Sequence, residues 1–526
     1  MALFLDLDKL DRPSMGFFSD SPMATSDRSA NNGYDLFPPI PTLTDYGLSE
    51  TRGFLPDTLP LPRLPDPYYN KWEDIVANLQ ALILCGRIRP VVDKLSVYSV
   101  AGLESDAEWR RAYSLLCFLA HAYIWGGDQP SDRLPPAISV PLQRVADHLQ
   151  VPPVATYAAL CLWNFKPIFD NEGIDDIENL ATLNTFTGSL DESWFYLVSV
   201  AIEARGAHVI PLMLRAIHAA RRGDAAAVTQ CLRTFAESLE GLVALLHRIH
   251  ENCDPLIFYS RIRPFLAGSK GMAGAGLPRG VVYEDMDGRG KYRQYSGGSN
   301  AQSSLIQFFD IILGVEHRPT RDTEDGQQTP SLGRQHIKGD VTPRGPSNSF
   351  IQEMRQYMPG PHAKFLVDTS AAANIKHFVR SRPQDKALCL AYDSCLAMLS
   401  TFRDKHIAIV YRYVAMPAQR SFSSTLTTDD SPPKRVNLAT STSRNGGGAS
   451  AGYRGTGGTS LVPFLKQVRD ETLEPVICEW TKRLLSRPRN MSIQRFPSGE
   501  GHIAAQVSGM VTTWTIEDEV GGICHW

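Results

Sequence analysis

This chain of 526 residues has no CxxC pair, and its nine cysteines (85, 117, 161, 231, 253, 389, 395, 478 and 524) follow no regular spacing. An odd, scattered set argues against a disulfide framework and a structural zinc site, and suits a reducing compartment. Cys117, Cys161 and Cys395 lie inside apolar helical runs, where cysteine behaves as a small hydrophobe. An excess of one charge is missing too: 53 Lys and Arg stand against 56 Asp and Glu, a net charge of −3. With no large basic run, nucleic acid and anionic membrane surfaces are not expected as main partners. The apolar run at 115–125 is too short to span a bilayer and contains His121. The opening MALFLDLDKLDRPS carries Asp6, Asp8 and Asp11 and no continuous apolar core, so a secretory signal is not expected and the cytosol is the expected location. Familiar catalytic signatures are absent as well: no HExxH, no dinucleotide fingerprint, no Ser/His/Asp order and no paired carboxylates. Gly455-Thr-Gly-Gly-Thr459 lacks the lysine and preceding strand of a phosphate loop, and reads as a flexible loop.

What is present is helical periodicity. Hydrophobic residues make up 43% and charged residues 21%, enough apolar material for a sizeable core. Residues 1–65 are rich in Pro, Ser and Asp and read as a loose, disordered arm. Ser105-Asp-Ala-Glu108 has capping-box spacing and Gly126-Gly127 is a stop, which predicts a helix over 106–125. Pro152-Pro153 are expected to open another. Further helices are expected at 192–204, 210–221, 224–250 (with Asp224 as cap), 303–314, 349–358 and 386–415. Alternating strand patterns are nearly absent before residue 510, although VTTWTI at 511–516 is strand-like. The fold class expected is all-α. Two polar or Gly/Ser-rich inserts, 316–348 and 418–454, read as mobile loops. Residues 476–526 form a C-terminal extension to which no role is assigned.

The most informative residue is His406, in STFRDKHIAIVYRYVAMP (400–417). On a helix, Leu399, Phe402, His406, Ile409, Val410 and Tyr413 share one side. An imidazole in such a stripe must satisfy two ring nitrogens: a backbone carbonyl can take one, as in a core histidine, and a metal such as haem iron can take one. His247 and His250 stand one turn apart, as a metal pair or as helix-end residues. In the segment 254–268, Phe258, Tyr259 and Phe265 surround Arg261 and Arg263. That combination suits an aromatic molecule with a carboxylate, or a snorkelling arginine. Trp194, Phe195, Tyr196 and Ser199 offer aromatics and a hydroxyl, by default core packing. Residues 297–304 (GGSNAQSS) are a helix cap, or a place where backbone approaches a cofactor.

Taken together and in order, PPVATY (152–157), WFYLVS (194–199), FYSRIR (258–263), GGSNAQSS (297–304), QEMRQYMPGP (352–361), FRDKHIAIVYRY (402–413) and GTGGTSL (455–461) resemble the indoleamine 2,3-dioxygenase family. Its members are haem enzymes that open the indole ring of tryptophan. The resemblance covers about 66–475, and the long inserts resemble a fungal-type member. It implies a small helical domain at 66–186 packed on a larger helical haem domain at 187–475.

The resemblance implies one haem b per chain with His406 as iron ligand, Arg403 paired with a haem propionate and with Asp310, and Gly298, Ser299, Asn300 and Val414 against the cofactor. It implies a substrate pocket of Tyr157, Leu160, Cys161, Phe195, Tyr196, Phe258, Tyr259, Leu266 and Ser299. Phe195 and Phe258 would flank the indole, Arg263 would clamp the carboxylate, and the Thr456 loop would close over it. Ser199, Phe258 and Arg263 are the implied catalytic set. Tyr196 and Tyr259 stand where phenylalanine is usual, so their hydroxyls need partners; Leu160 replaces a smaller residue and Asn300 a position often small. The implied reaction joins L-tryptophan and dioxygen to give N-formylkynurenine, the first step of the kynurenine pathway towards NAD, in a cytoplasmic monomer with an electron donor that keeps the iron ferrous. The alternative is a non-enzymatic or weakly active haem- or indole-binding paralogue.

Overall fold

The structure is a computed structural model that describes residues 38–319, 349–419, 438–443, 453–456 and 460–485, and strand segments at 494–495, 505–508 and 513–516. The chain divides after Pro39, and the residues from Ile40 onward form one compact unit. Its main helices are α1 (Asp106–Trp125), α2 (Leu190–Gly206), α3 (Val209–Arg221), α4 (Ala225–His247), α5 (Ser304–Leu313), α6 (Lys386–Val410) and α7 (Leu461–Thr472). The all-α expectation is borne out.

Local chemistry explains the boundaries. Ser105 caps α1 by accepting from the Glu108 N–H at 3.3 Å, and the Ser105 hydroxyl donates to the Glu108 carboxylate at 2.8 Å. Asp224 caps α4 through Ala227, and Asp385 caps α6 through Leu388, each at 3.0 Å. Helix α6 forms the spine: it lies along α4, touches α7, and buries Leu388, Tyr392, Cys395, Leu396 and Leu399. Helices α2 and α3 pack on the other faces of α4. The Tyr392 hydroxyl donates to the Leu313 carbonyl at 2.6 Å, which fastens the end of α5 to the spine.

Several expectations change. Residues 40–64 are not loose: Leu43, Phe54, Leu55 and Leu64 are buried in the main core. Their prolines gave a disordered composition, but the apolar residues between them find a surface to cover. Pro152-Pro153 open no regular helix. The Tyr113 hydroxyl lies 2.8 Å from the carbonyl oxygens of both Pro152 and Val154, which takes them from helical bonding. Helix is resumed only in the wide turn Ala158–Leu162. Short strands appear before residue 510: β1 (Arg133–Leu134) runs parallel to β4 (Val281–Glu284), which pairs antiparallel with β5 (Gly290–Arg293). A second pair joins β2 (Phe165–Pro167) to β3 (Leu180–Thr182). The expected strand near 511–516 is present as Thr513–Ile516 in a three-stranded sheet.

Within the expected mobile inserts, Glu316, His317 and Arg318 are bonded into the body, and Leu438–Ser443 is a helix with Thr442 fully buried. Residues 320–348 and the remainder of 420–452 lie outside the described residues.

An ion pair ties α1 to the segment before it. The Arg111 guanidinium grips both Glu73 oxygens, and Glu73 Oε1 also accepts from the Leu64 N–H at 2.8 Å. The side chains are 5% and 4% exposed, so either charge left alone would be buried without solvent. Arg111→Ala is therefore expected to destabilise the fold by about 3–5 kcal/mol, whereas Arg111→Met with Glu73→Leu should recover most of that loss. Denaturant unfolding of the three proteins checks this; equal losses in the single and double variants would contradict it.

Candidate functional site

Three helical segments of the body widen from 3.6 residues per turn into π-helical turns: Ala158–Leu162, Phe258–Ile262 and Tyr411–Ala415. Such a turn carries an extra residue and re-aims the side chains around it. All three border one cavity, lined mostly by apolar side chains. The first brings Tyr157, Leu160 and Cys161 to its wall, the second Phe258 and Arg263, and the third Tyr413 and Val414. Helix α2 adds Phe195, Tyr196 and Ser199, and the backbone after Gly297 adds Gly298, Ser299 and Asn300. Leu266, Thr456 and His406 complete the predicted set that lines it.

Close backbone approach shapes this wall. A Cβ on Gly297 would lie 2.1 Å from the Leu266 carbonyl oxygen, and one on Gly298 would lie 2.5 Å from Leu160 Cδ1. At 297 the obstacle is backbone and only glycine fits, whereas at 298 a Cβ would require the end of Leu160 to move. Gln302, 2% exposed, staples two wall segments: it accepts from the Tyr157 N–H and donates to the Gly297 carbonyl, both at 2.8 Å. On the far side Thr456 donates to the Gly298 carbonyl at 2.6 Å, and the Gly297 N–H donates to the Thr456 carbonyl at 3.1 Å. The loop after Tyr453 is thus pinned to the cavity rim; residues 457–459 lie outside the described residues.

His406 and His121 show the two fates of a histidine among apolar side chains. His121 Nδ1 donates to the Phe265 carbonyl at 2.6 Å, and its Nε2 accepts from the Ala155 N–H at 3.1 Å. That ring is a satisfied core residue. His406 has no hydrogen-bond partner among the described residues, and its accessible surface belongs to the cavity. Burial, helped by the Arg403 charge, lowers its pKa to about 4. The ring is therefore neutral at pH 7, with a lone pair available.

Arg263 is the second unusual group. It is 2% exposed and donates Nη2 to the Arg454 carbonyl, while its buried Nη1 has no partner. Burial lowers its pKa only to about 10, so it remains a cation. Arg261, two residues earlier, is exposed. Phe195 and Phe258 face each other with centroids 4.6 Å apart and planes tilted by 45°.

Tyr196 lines the cavity, but its hydroxyl donates to Glu192 at 3.0 Å. Tyr259, expected in the pocket, is not on its wall. It packs instead with Ala418 and Ala439, because the π turn directs Phe258 inward and its neighbour outward. Arg403 and Asp310 line an adjoining cavity, whose walls include His406, Tyr157, Ser199 and Asn300. Arg403 Nη2 lies 2.7 Å from each Asp310 oxygen, and its Nη1 bonds Thr472. The His247 and His250 rings sit 5.7 Å apart, and His250 Nδ1 is 3.1 Å from the Tyr413 hydroxyl. Among the described residues no cluster of three or more metal-ligating side chains occurs.

Sequence reasoning missed Glu203, Gln302 and His317, and the apolar lining from Leu246, Ile249, Phe350 and Phe464. Glu203 had a signal, since it extends the spacing of Phe195 and Ser199 by four along α2. His317 had none; it becomes meaningful only where α5 and α7 meet.

A sequence profile of indoleamine 2,3-dioxygenase matches residues 42–475. Among curated relatives, the indoleamine 2,3-dioxygenase of Saccharomyces cerevisiae is 42% identical over 444 residues, covering 83% of this chain and 94% of the relative. An indoleamine 2,3-dioxygenase of Penicillium citrinum is 39% identical, covering 84% and 90%. A 6-hydroxytryptophan 2,3-dioxygenase of Fusarium equiseti is 37% identical, covering 82% and 96%.

His317 bridges Asp310 (Nε2, 3.1 Å) and Glu471 (Nδ1, 2.8 Å). Burial alone would lower the His317 pKa, but the two carboxylates outweigh it and raise it above the ordinary 6.5. Burial would raise Asp310, but Arg403 and His317 hold it low; Glu471 is likewise held low, chiefly by His317 against burial. The His317 contribution is complete below pH 6.5 and is lost as pH rises through the raised value. The carboxylate contribution is lost as pH falls through the lowered values. Stability should therefore decline on the alkaline side in the parent, and His317→Gln should flatten that decline. Unfolding curves across pH check it; an unchanged alkaline limb in the variant would count against the network.

Proposed function

The chain belongs to the indoleamine 2,3-dioxygenase family, and from that premise we propose that it is a haem-dependent dioxygenase converting L-tryptophan and dioxygen to N-formylkynurenine. The observation that carries this reading is an unpaired, neutral imidazole in the same apolar cavity as a buried guanidinium with a free N–H.

The residues present fit a haem. His406 offers an uncommitted nitrogen to an apolar cavity, and Arg403 lines the adjoining one beside the same ring. His406 would ligate the iron, Arg403, braced by Asp310, would meet the cofactor's carboxylates, and Gly298, Ser299, Asn300 and Val414 would line it. When bound, haem iron supplies the dioxygen activation by which both oxygen atoms enter across the indole C2=C3 bond. The protein supplies position and dryness. Phe195 and Phe258, packed on each other, give the indole one aromatic wall, and Tyr157, Leu160, Cys161 and Leu266 close the deep end. Arg263 Nη1 donates to the substrate carboxylate, Ser199 faces the indole N–H, and the Thr456 segment shuts the rim. Both oxygens stay in the product, so the reaction needs no proton-transfer side chain of its own.

The same reading makes the protein a cytosolic monomer with a separate electron donor and no nucleic-acid or membrane partner; the scattered free thiols and balanced charge support it. It also divides the body into a small helical lobe, 66–186, and a larger haem lobe, 187–475. The competing reading, a haem- or indole-binding protein without turnover, predicts haem without product when purified protein is given L-tryptophan and a reductant.

His406→Ala is expected to abolish haem retention; an ordinary Soret band in that variant would refute the ligand assignment. Arg263→Ala should keep haem and lower kcat/KM for L-tryptophan by an amount equivalent to about 1.5–3 kcal/mol, mostly through KM. Unchanged kinetics would remove Arg263 as the clamp.

A further inference from the structure

Bonded to wall residues of both cavities is a carboxyl group that the reaction as described does not use. Glu203 is on α2, one turn beyond Ser199, and is 1% exposed. Its Oε1 accepts from the Tyr157 hydroxyl at 3.1 Å and from the Ser303 hydroxyl at 2.6 Å. Its Oε2 is buried and has no partner. The two donors belong to separate pieces of the site. Tyr157 forms part of the wall of both cavities and enters the π turn Ala158–Leu162; Ser303 is the cap of α5, the helix that carries Asp310. Ser199, Tyr157 and Cys161 share the wall of the first cavity.

We propose that Glu203 is a positioning residue for the dioxygenase reaction: by holding the Tyr157 and Ser303 hydroxyls on one oxygen, it sets the deep wall of the substrate cavity against the helix that braces Arg403. This rests on the function assigned above and deepens it. As a purely structural device the group is a poor one, because a buried carboxyl with an orphan oxygen costs stability that an apolar side chain would not. Burial raises its pKa to about 7, opposed only in part by the two hydroxyls. A single acceptor shared by two hydroxyls does fix their separation, and through Tyr157 it fixes where the indole edge can lie. Phe195, Ser199 and Glu203 recur every four residues on α2, so one helix face carries an aromatic wall, a hydroxyl and the carboxyl that orders the next segment.

The test uses haem-replete protein, steady-state kinetics, and the tryptophan-induced shift of the haem absorption band as an independent measure of binding. Glu203→Ala is expected to keep haem and to raise both KM and the spectral Kd for L-tryptophan about tenfold, with kcat within about threefold of the parent. Glu203→Gln retains an oxygen acceptor and is expected to bring both constants back to within about threefold. If Glu203→Ala fails to hold haem, Tyr157→Phe is read in its place, with the same tenfold rise (about 1.4 kcal/mol) expected. Unchanged constants in the haem-replete variant, or a Gln variant no better than Ala, overturns the proposal. Failure of the assigned function is seen separately, as a parent protein that holds haem and yields no product.

Discussion

The site depends on an imidazole that the protein itself leaves unsatisfied. Burying a polar ring without a partner costs free energy, and proteins avoid it where they can. His121 shows the usual solution, with a carbonyl on one nitrogen and an amide on the other. His406 has neither among the described residues, and it rides on a 25-residue helix whose other face is buried in the core. Low local polarity keeps it neutral, and neutrality keeps its lone pair free. That cost would be offset by a group in the cavity that accepts the lone pair, the role proposed for haem iron.

The cavity around it is made by departures from regular helix. Three π turns, far apart in sequence, converge on the same space, and each presents side chains that an ordinary turn would aim elsewhere. Phe258 and Tyr259 make the point: neighbours in sequence, one faces the pocket and the other packs away from it with Ala418 and Ala439. Gln302 and the bare backbone at Gly297 and Gly298 then hold the irregular segments together, since backbone that leaves its helix must find hydrogen bonds elsewhere.

Electrostatics divides the interior into two kinds of carboxyl. Asp310 and Glu471 are surrounded by Arg403 and His317 and stay ionised, so their charge is balanced within a compact network beside the second cavity. Glu203, among hydroxyls and a thiol with no cation beside it, is pushed towards neutrality. The first arrangement anchors an arginine without freezing a net charge into the core. The second provides a hydrogen-bond acceptor, without a strong field, to the Tyr157 and Ser303 hydroxyls.

Much of this was legible in the chain. Helical periodicity and caps located α1 to within the residues of Ser105 and Gly126, because those signals are local and act within one turn. Family-like segments picked out His406, Phe195, Phe258, Arg263 and Gly298, which the fold does bring to one cavity, and the Gly297 turn beside it. Residues whose meaning comes from a distant partner were not legible. His317 is an unremarkable polar residue in a polar stretch until α5 and α7 bring Asp310 and Glu471 to its two nitrogens. The segment at 40–64 looked disordered because composition reports what a segment contains, not the surface it meets. The sequence by itself determined the helices, their ends and the identity of the reactive groups, all of which depend on neighbours a few residues away. Tertiary structure decided which wall each aromatic meets, which carboxyl ionises and which histidine goes without a partner, because those outcomes depend on groups from separate elements, such as Arg403 on Asp310 across 93 residues and the Phe265 carbonyl on His121 across 144.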